Sequence, residues 1–468
     1  MAKRGILSRI GPAFIVGACI IGPGSVTLMS RTGANYGYQL IWLSLLSGAM
    51  MAGFLAVFMR LGVYSDETFL TLTANRLGRW YAVLCGITLF SVDAAFQFGN
   101  ALGVKAGMQA IFPAVPAYAW PLLFTATAIL FLFGLKRIYG VLEKMMTFFL
   151  VFMVAAFLVN LLWALRAEPD LPKTLAAMAQ GAFIPSLPKG VNWVVLGGLV
   201  GTTLVIVAAF LQPYLVKAKG WTEKDFASGV TDTVLASIML TLVGTMIMMT
   251  AATVLYPGDG QVNFEVMITQ LEQVFGAHAR LVFSIGFFAA AFSSFITNSV
   301  IGGVLLNDGL GLGGRLDSLP TKIFATLVLL IGMGTALGIV YAEANYHRDL
   351  TVQAITVGQA VTLLALPLGT IAMVVVLFDA NSTRGRALPI WAKAFVLFGA
   401  TVILGVAAVV FVKLFFSGES RVPDKPAHSV AAEDTLPCGL DSDQGLVIEQ
   451  VGHSCEGGES WPKIRVGI

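Results

Sequence analysis

The sequence predicts an all-α polytopic membrane protein, two inverted five-helix repeats with an eleventh helix added. Three observations carry that prediction. The first is composition: of 468 residues, 57% are hydrophobic and 12% charged, the mean hydropathy is +0.83, and apolar runs of about 20 residues, each enough to cross a bilayer core, recur along the chain. The second is that the first run, Gly11 to Arg31, carries Gly22-Pro23-Gly24 near its midpoint. Pro23 removes an amide donor and crowds the preceding turn, and the flanking glycines lower the cost of unwinding. Broken backbone at membrane depth is tolerated only where protein buries it or a cavity lies beside it. The third is a second interruption five spans later. An odd number of spans per repeat inserts the second unit upside down relative to the first.

Eleven spans are expected, near 11–31, 38–62, 80–112, 118–136, 138–166, 190–217, 228–255, 279–306, 322–341, 350–378 and 391–416. The repeats then cover 11–166 and 190–378, 391–416 is the extra helix, and 1–417 is one transmembrane domain. The first run is long and lacks a small-residue cleavage pattern, so no cleavable signal is expected. Span 6 holds the second interruption: Gly197-Gly198, Gly201-Thr202-Thr203 and Gln212-Pro213. Span 10 holds a milder one at Leu366-Pro367-Leu368-Gly369. After Gly418 the composition turns polar, and 418–468 reads as a disordered tail. Cys19 and Cys85 sit in apolar runs as small buried hydrophobes. Cys438 and Cys455 sit in the tail, where two cysteines do not by themselves fix a pairing.

Loop charge sets the orientation. Lys3, Arg4 and Arg9 precede span 1, and alternate loops carry Arg76 and Arg79, Lys136 and Arg137, Lys217, Lys219 and Lys224, Arg315 and Lys322, then Arg384, Arg386 and Lys393. The opposite loops carry fewer: Arg31, Lys173 and Lys189, Arg280, and Arg348. The positive-inside rule therefore places the N-terminus in the cytoplasm, and the expected location is a plasma membrane, the inner one of a bacterium. A net charge of +3 gives no footprint for nucleic acid; membrane lipid is the expected surrounding.

Polar groups inside spans are the candidate functional residues, because burying them in lipid is costly. Asp93, Gln97 and Asn100, spaced by four and three, share one helical face. Asp93 reads as a proton- or ion-responsive group or as a structural carboxyl. Lys105, nearer the outer end, is expected to snorkel. Ser293, Ser294, Thr297 and Asn298 make a stripe suited to close helix packing or to lining a path. Gln353 and Gln359 either line a cavity or repair broken backbone. Asp232 is expected to cap its own helix, and Glu143 with Lys144 to form a surface pair. His278, His347, His428 and His453 all fall outside the spans, so an imidazole relay has no candidate. No zinc-binding His/Glu pattern and no nucleophile–base pair lies within a span, so neither an enzyme nor a cofactor is expected.

The stretch GPAFIVGACIIGPGSVTLMSRTGANYGYQLIWLSLLSGAMM has a Gly-Pro opening, a broken helix and a GxxYGYxLIW lead-in to span 2. With FFAAAFSSFITNSVIGG in span 8 and QAVTLLALPLG in span 10, it resembles the NRAMP family of proton-coupled divalent-metal transporters. The likeness covers spans 1–10 and implies the LeuT-type fold and alternating access. The departures fall on the chemistry. Where metal-transporting members read Asp-Pro-Gly-Asn, this chain has Gly22-Pro23-Gly24-Ser25. Their Met-Pro-His in span 6 aligns with Val205-Ile206-Val207, and a following His with Gln212; a shifted alignment uses Gln212-Pro213-Tyr214 instead. Their Asp-x-x-Glu in span 3 becomes Asp93-x-x-Phe96.

A carboxylate, an amide oxygen and a thioether together suit Mn²⁺ and Fe²⁺. Without the carboxylate, a bare divalent ion loses its counter-charge in a poorly polarisable cavity, where idealised desolvation reaches roughly 20 kcal/mol. A hydrated ion such as Mg²⁺, which gives up water reluctantly, fits better. The resemblance thus implies a cation path lined by Cys19, Gly22, Ser25, Thr202, Thr203, Val205, Gln212, Asn298 and Gln359. Asp93 is its ion- or proton-coupling residue, and its metal ligands are undefined. Two alternatives keep the fold: transport of a small non-metal solute, and a transport-dead sensor or scaffold.

Overall fold

A computed structural model describes residues 11–134, 138–257, 267–268, 276, 279–346 and 350–416. All lie in the first of two units, Met1–Ala427; the second, His428–Ile468, falls outside them. So do Lys3, Arg4, Arg9, Lys136, Arg137, His278, His347, Arg348, Cys438 and Cys455, and with them the expectations placed on those residues and on the tail.

The described elements are helical. Span 1 is a broken pair, α1 (Pro12–Ile20) and α2 (Pro23–Tyr36), bent by 54°. Then come α3 (Ile41–Tyr64), α4 (Phe69–Leu77), α5 (Arg79–Ile111), α6 (Ala119–Gly134), α7 (Ile138–Arg166) and α8 (Leu171–Phe183). Span 6 is α9 (Trp193–Thr203) with α10 (Ile206–Lys219), followed by α11 (Phe226–Leu255), α12 (Ala279–Gly309) and α13 (Leu319–Tyr346). Span 10 is α14 (Thr351–Thr362) and α15 (Leu366–Phe378) around a single 3₁₀ turn, and α16 (Ile390–Phe416) completes the set. Among the described residues nine helices are long and apolar enough to cross a membrane, and the bent pair makes a tenth. Apolar α6 is shorter, and its description stops at Gly134, inside the expected 118–136. Two helices arise where only loops were expected: α4, and α8, whose first turn is capped by the Asp170 side chain accepting from Lys173 N at 3.2 Å.

The two broken spans cross each other half against half. Helix α1 packs on α10, and α2 on α9. This is the crossing expected of equivalent helices inserted in opposite directions. Spans 3 and 8 pair likewise as α5 with α12, and spans 2 and 7 as α3 with α11. Small residues let α5 and α12 approach: a methyl group on Gly309 would stand 2.9 Å from Gly86 Cα.

Four charges are placed differently from their sequence-based expectation, each because a neighbouring helix supplies a partner or a wall. Lys105 does not snorkel; its Nζ sits 2.7 Å from Glu343 Oε2 on α13. Glu143 pairs with Lys219 on α10 at 2.5 Å rather than with Lys144. Asp232 caps another helix: its oxygens accept from Gly11 N (2.6 Å) and Ala13 N (2.8 Å) at the start of α1. Arg31 lies within α2 and is only 4% exposed, so it does not count as loop charge.

Candidate functional site

Pro23 has no N–H, so the helical acceptor four residues earlier, Cys19 O, loses its donor. Ser294 on α12 replaces it, its hydroxyl donating to Cys19 O at 2.7 Å. Ile20 O accepts Gly22 N at 2.9 Å and lies 2.6 Å from Ser25 Oγ. The same Ser25 oxygen is 3.3 Å from Thr202 O and 2.7 Å from Thr202 Oγ1. Its single proton goes to a carbonyl, so Thr202 is the donor between the two hydroxyls. One serine therefore touches the carbonyls of both breaks.

The second break falls at Leu204–Val205, where Ile206 N turns back to Leu204 O at 2.9 Å. Gln212-Pro213 lies inside the continuous helix α10. The alignment that places Val205-Ile206-Val207 at the break therefore matches the backbone, and the shifted one does not. Tyr214, the last residue of the shifted motif, points elsewhere: its hydroxyl donates to Asp308 Oδ2 at 2.6 Å. Asp308 also accepts from Leu70 N (3.1 Å) and Thr71 N (3.2 Å), capping α4.

Between the breaks lies a cavity of about 20 Å³, lined by Cys19, Ile20, Gly22, Gly24, Ser25, Phe96, Asn100, Thr202, Val205, Ala208, Ser294, Asn298, Ile301 and Gln359. That is room for about one water molecule. Of the residues singled out from sequence, Cys19, Gly22, Ser25, Thr202, Val205, Asn298 and Gln359 converge here. Thr203 does not; its hydroxyl donates to Leu199 O at 3.0 Å, within its own helix. Gln212 does not line the cavity either: it is fully buried in α10, and neither its Nε2 nor its Oε1 has a partner. Asn100 and Ser294 line the cavity but were read only as members of polar stripes. The signal that would have promoted Ser294 is Pro23, which guarantees an orphaned carbonyl needing a donor from another helix.

Asp93 does not itself line the cavity; it lies one turn before the cavity-lining Phe96 and seven positions before Asn100 on α5. A polar chain connects them. Asn298 Nδ2 donates to Asp93 O at 2.7 Å and reaches Gln97 Oε1 at 3.4 Å, which Asn100 Nδ2 also reaches at 3.4 Å. The carboxyl is 1% exposed, and its Oδ2 has no partner.

Among the described residues no three of His, Cys, Asp and Glu gather as metal ligands. The oxygen donors at the cavity are neutral: the carbonyls of Cys19, Ile20 and Thr202, hydroxyls, and amides of Asn100, Asn298 and Gln359, with the free thiol of Cys19 on a lining residue beside them. The set suits a hard cation that accepts carbonyl and hydroxyl oxygen, and lacks the thioether a softer one prefers. Gln359 is pressed close, since a methyl group on Gly24 would stand 2.7 Å from its Cδ. On the far side, Arg31 lies seven positions beyond Gly24 on α2. At that separation of about 10 Å, a divalent ion in the cavity and the guanidinium would repel by about 3 kcal/mol at an effective dielectric near 20.

The chain matches the family described as "Natural resistance-associated macrophage protein-like" over residues 13–413. It is 28% identical over 310 residues to a divalent metal cation transporter MntH of Yersinia pestis, covering 64% of this chain and 72% of that one. It is 26% identical over 308 residues to the MntH of Pectobacterium carotovorum, with the same coverage. In fold it is similar to a variant of the Eremococcus coleocola manganese transporter (TM-score 0.70, 14% identity, covering 92% of this chain and 90% of that one). It is more distantly similar to MhsT in complex with L-phenylalanine (TM-score 0.54, 17% identity, 86% and 98%). Mhp1, a nucleobase-cation-symport-1 family transporter, matches at TM-score 0.53 and 14% identity, covering 89% and 96%.

Proposed function

The chain belongs to the natural resistance-associated macrophage protein (NRAMP) family, integral membrane transporters rather than enzymes, and on that premise we propose that it carries a hard divalent cation through the cavity between its two helix breaks. The observation that carries the proposal is Ser25. Its hydroxyl meets Ile20 O from one broken span and Thr202 O from the other, so the freed carbonyls of both already share one point. A cation placed there turns the hydroxyl protons away and takes the lone pairs of the same oxygens as ligands. The MntH relatives are divalent metal cation transporters by name, which supports the cargo class.

The closed cavity admits about one water, so an ion held here has shed most of its hydration shell. A largely hydrated Mg²⁺ needs a conformation in which the breaks stand farther apart. Cys19, Gly22, Ser25, Thr202, Val205, Asn298 and Gln359 are the path-lining residues of this reading. Asp93 is its coupling residue, placed beside the cavity by Asn298, which lines the cavity and donates to the Asp93 backbone carbonyl. Residues 1–417 form its transport domain, with the N-terminus cytoplasmic and the membrane that of the bacterial cell.

Uptake of Mn²⁺ and of Mg²⁺ into proteoliposomes tests the proposal. Saturable uptake of either ion is expected, and Asp93→Asn should slow it several-fold while leaving cation affinity within about twofold, because Asp93 is not at the cavity. No cation flux in either direction, with flux of a neutral solute instead, would replace this reading with the solute one.

A further inference from the structure

Arg31 carries a buried guanidinium close to the cavity. It sits on α2, two turns beyond Gly24, where α2 meets α9 and α14. It is 4% exposed. Among the described residues no carboxylate pairs with it, and its single hydrogen bond runs from Nη1 to Thr356 Oγ1 at 3.3 Å. Its Nε has no partner. Thr356 is itself committed, donating to Val352 O at 2.8 Å, so it accepts from Arg31 without offering charge. One turn farther along α2 the surroundings are again rich in donors. Tyr36 Oη accepts from Asn192 N at 3.0 Å, and Asn192 Nδ2 has no partner. Asn192 caps α9 through Oδ1, so the positive end of that helix opens on the same side.

A buried charge without a counter-charge is strongly unfavourable, and a guanidinium cannot escape by losing its proton. Lys105, a half-buried cation, is answered by Glu343. Arg31 is not. We propose that Arg31 binds a small monovalent anion at the junction of α2, α9 and α14, with the guanidinium as its first contact. An anion there neutralises the guanidinium and so relieves its repulsion of a cation in the cavity. Its binding requires only the orphaned guanidinium; its effect on flux rests on the cation-transport reading.

Two measurements test this, and they fail independently. The first is thermal unfolding of the detergent-purified protein while chloride replaces gluconate at constant ionic strength, with acetate as a second arm. A saturable rise in the unfolding midpoint is expected with chloride, or with acetate if the site prefers a carboxylate. Arg31→Gln should abolish the rise. Thr356→Asp, which delivers a carboxylate covalently beside the guanidinium, should raise the midpoint in gluconate and remove the anion response. The same midpoint in all three salts, or an anion response that survives in both variants, overturns the proposal. The second is Mn²⁺ uptake in chloride against gluconate, expected to be several-fold faster in chloride and insensitive to the anion in Thr356→Asp. If Mn²⁺ does not move in any salt while the unfolding response holds, the anion site stands and the transport reading falls.

Discussion

The two helix breaks meet at one cavity but are made by opposite means. The first is written into local chemistry: Pro23 cannot donate, glycines flank it, and the axis turns by 54°. The second has neither proline nor glycine at its centre. Leu204 and Val205 are unexceptional, span 6 does not reach the bend of span 1, and the proline of that span, Pro213, lies inside an unbroken helix. What holds the second break is its surroundings. Gly201 lets α14 come close, since a methyl group there would stand 2.8 Å from Gln359 O, and Ser25 reaches across to Thr202. A break imposed by covalent structure persists whatever packs on it, whereas one imposed by packing depends on its neighbours.

That difference orders the expected effects of mutation. The largest belongs to the first break, where the counter-charge is missing. Gly22→Asp restores a carboxylate, but its Cβ would stand 2.8 Å from Ser294 Oγ. The double variant Gly22→Asp with Ser294→Ala removes that obstacle. It should bind Mn²⁺ about a hundredfold more tightly than the parent by isothermal titration, about 3 kcal/mol, and more tightly than Gly22→Asp alone. If the double variant gains nothing, the first break does not set cation affinity.

Next come the hydroxyls that cap the freed carbonyls. Ser294→Ala alone leaves Cys19 O buried without a donor and should cost about 1–3 kcal/mol of stability. Thr202→Val removes a donor to Ser25 but orphans no carbonyl, and should cost about 1 kcal/mol or less. Thermal unfolding of both would sharpen the comparison, and a larger loss for Thr202→Val would reverse it. Smaller still is Val205→Met at the second break. It brings a thioether to the cavity and should shift competition a few-fold toward Cd²⁺ over Mn²⁺, without changing Mn²⁺ affinity appreciably.

The smallest effect lies far from both breaks. Asp66, in the loop after α3, is held below the usual carboxylate range by its hydrogen bond to the Arg384 guanidinium. A carboxyl depressed in the folded state adds stability that is complete above its unfolded pKa of about 3.9 and is lost as pH falls toward the folded value. Asp66→Asn should therefore flatten only the acid end of a stability-against-pH curve, and slightly, because the pair is exposed and screened. A change near neutral pH would contradict that assignment.

Much of this protein could be read without coordinates. Hydropathy fixes a polytopic helical protein because lipid leaves backbone groups no other satisfied state of this length. Gly22-Pro23-Gly24 fixes the first break because a missing N–H is a property of the residue itself. Cys19, Ser25 and Thr202 followed from that break and from the equivalence of spans five apart, and Gln359 from its place as a polar group inside span 10. The tertiary structure alone decided the rest. It decided between the two alignments of the second break, placing it at Leu204–Val205 with Pro213 inside a continuous helix, and left Gln212 outside the cavity. It took Asp232 from its own helix to the start of α1, gave Lys105 to Glu343, and buried Arg31 where α2 meets α9 and α14. In each case the deciding partner is remote in sequence. A buried polar group takes whichever partner packing brings within about 3 Å, and no pattern along one helix reveals what the next helix will offer.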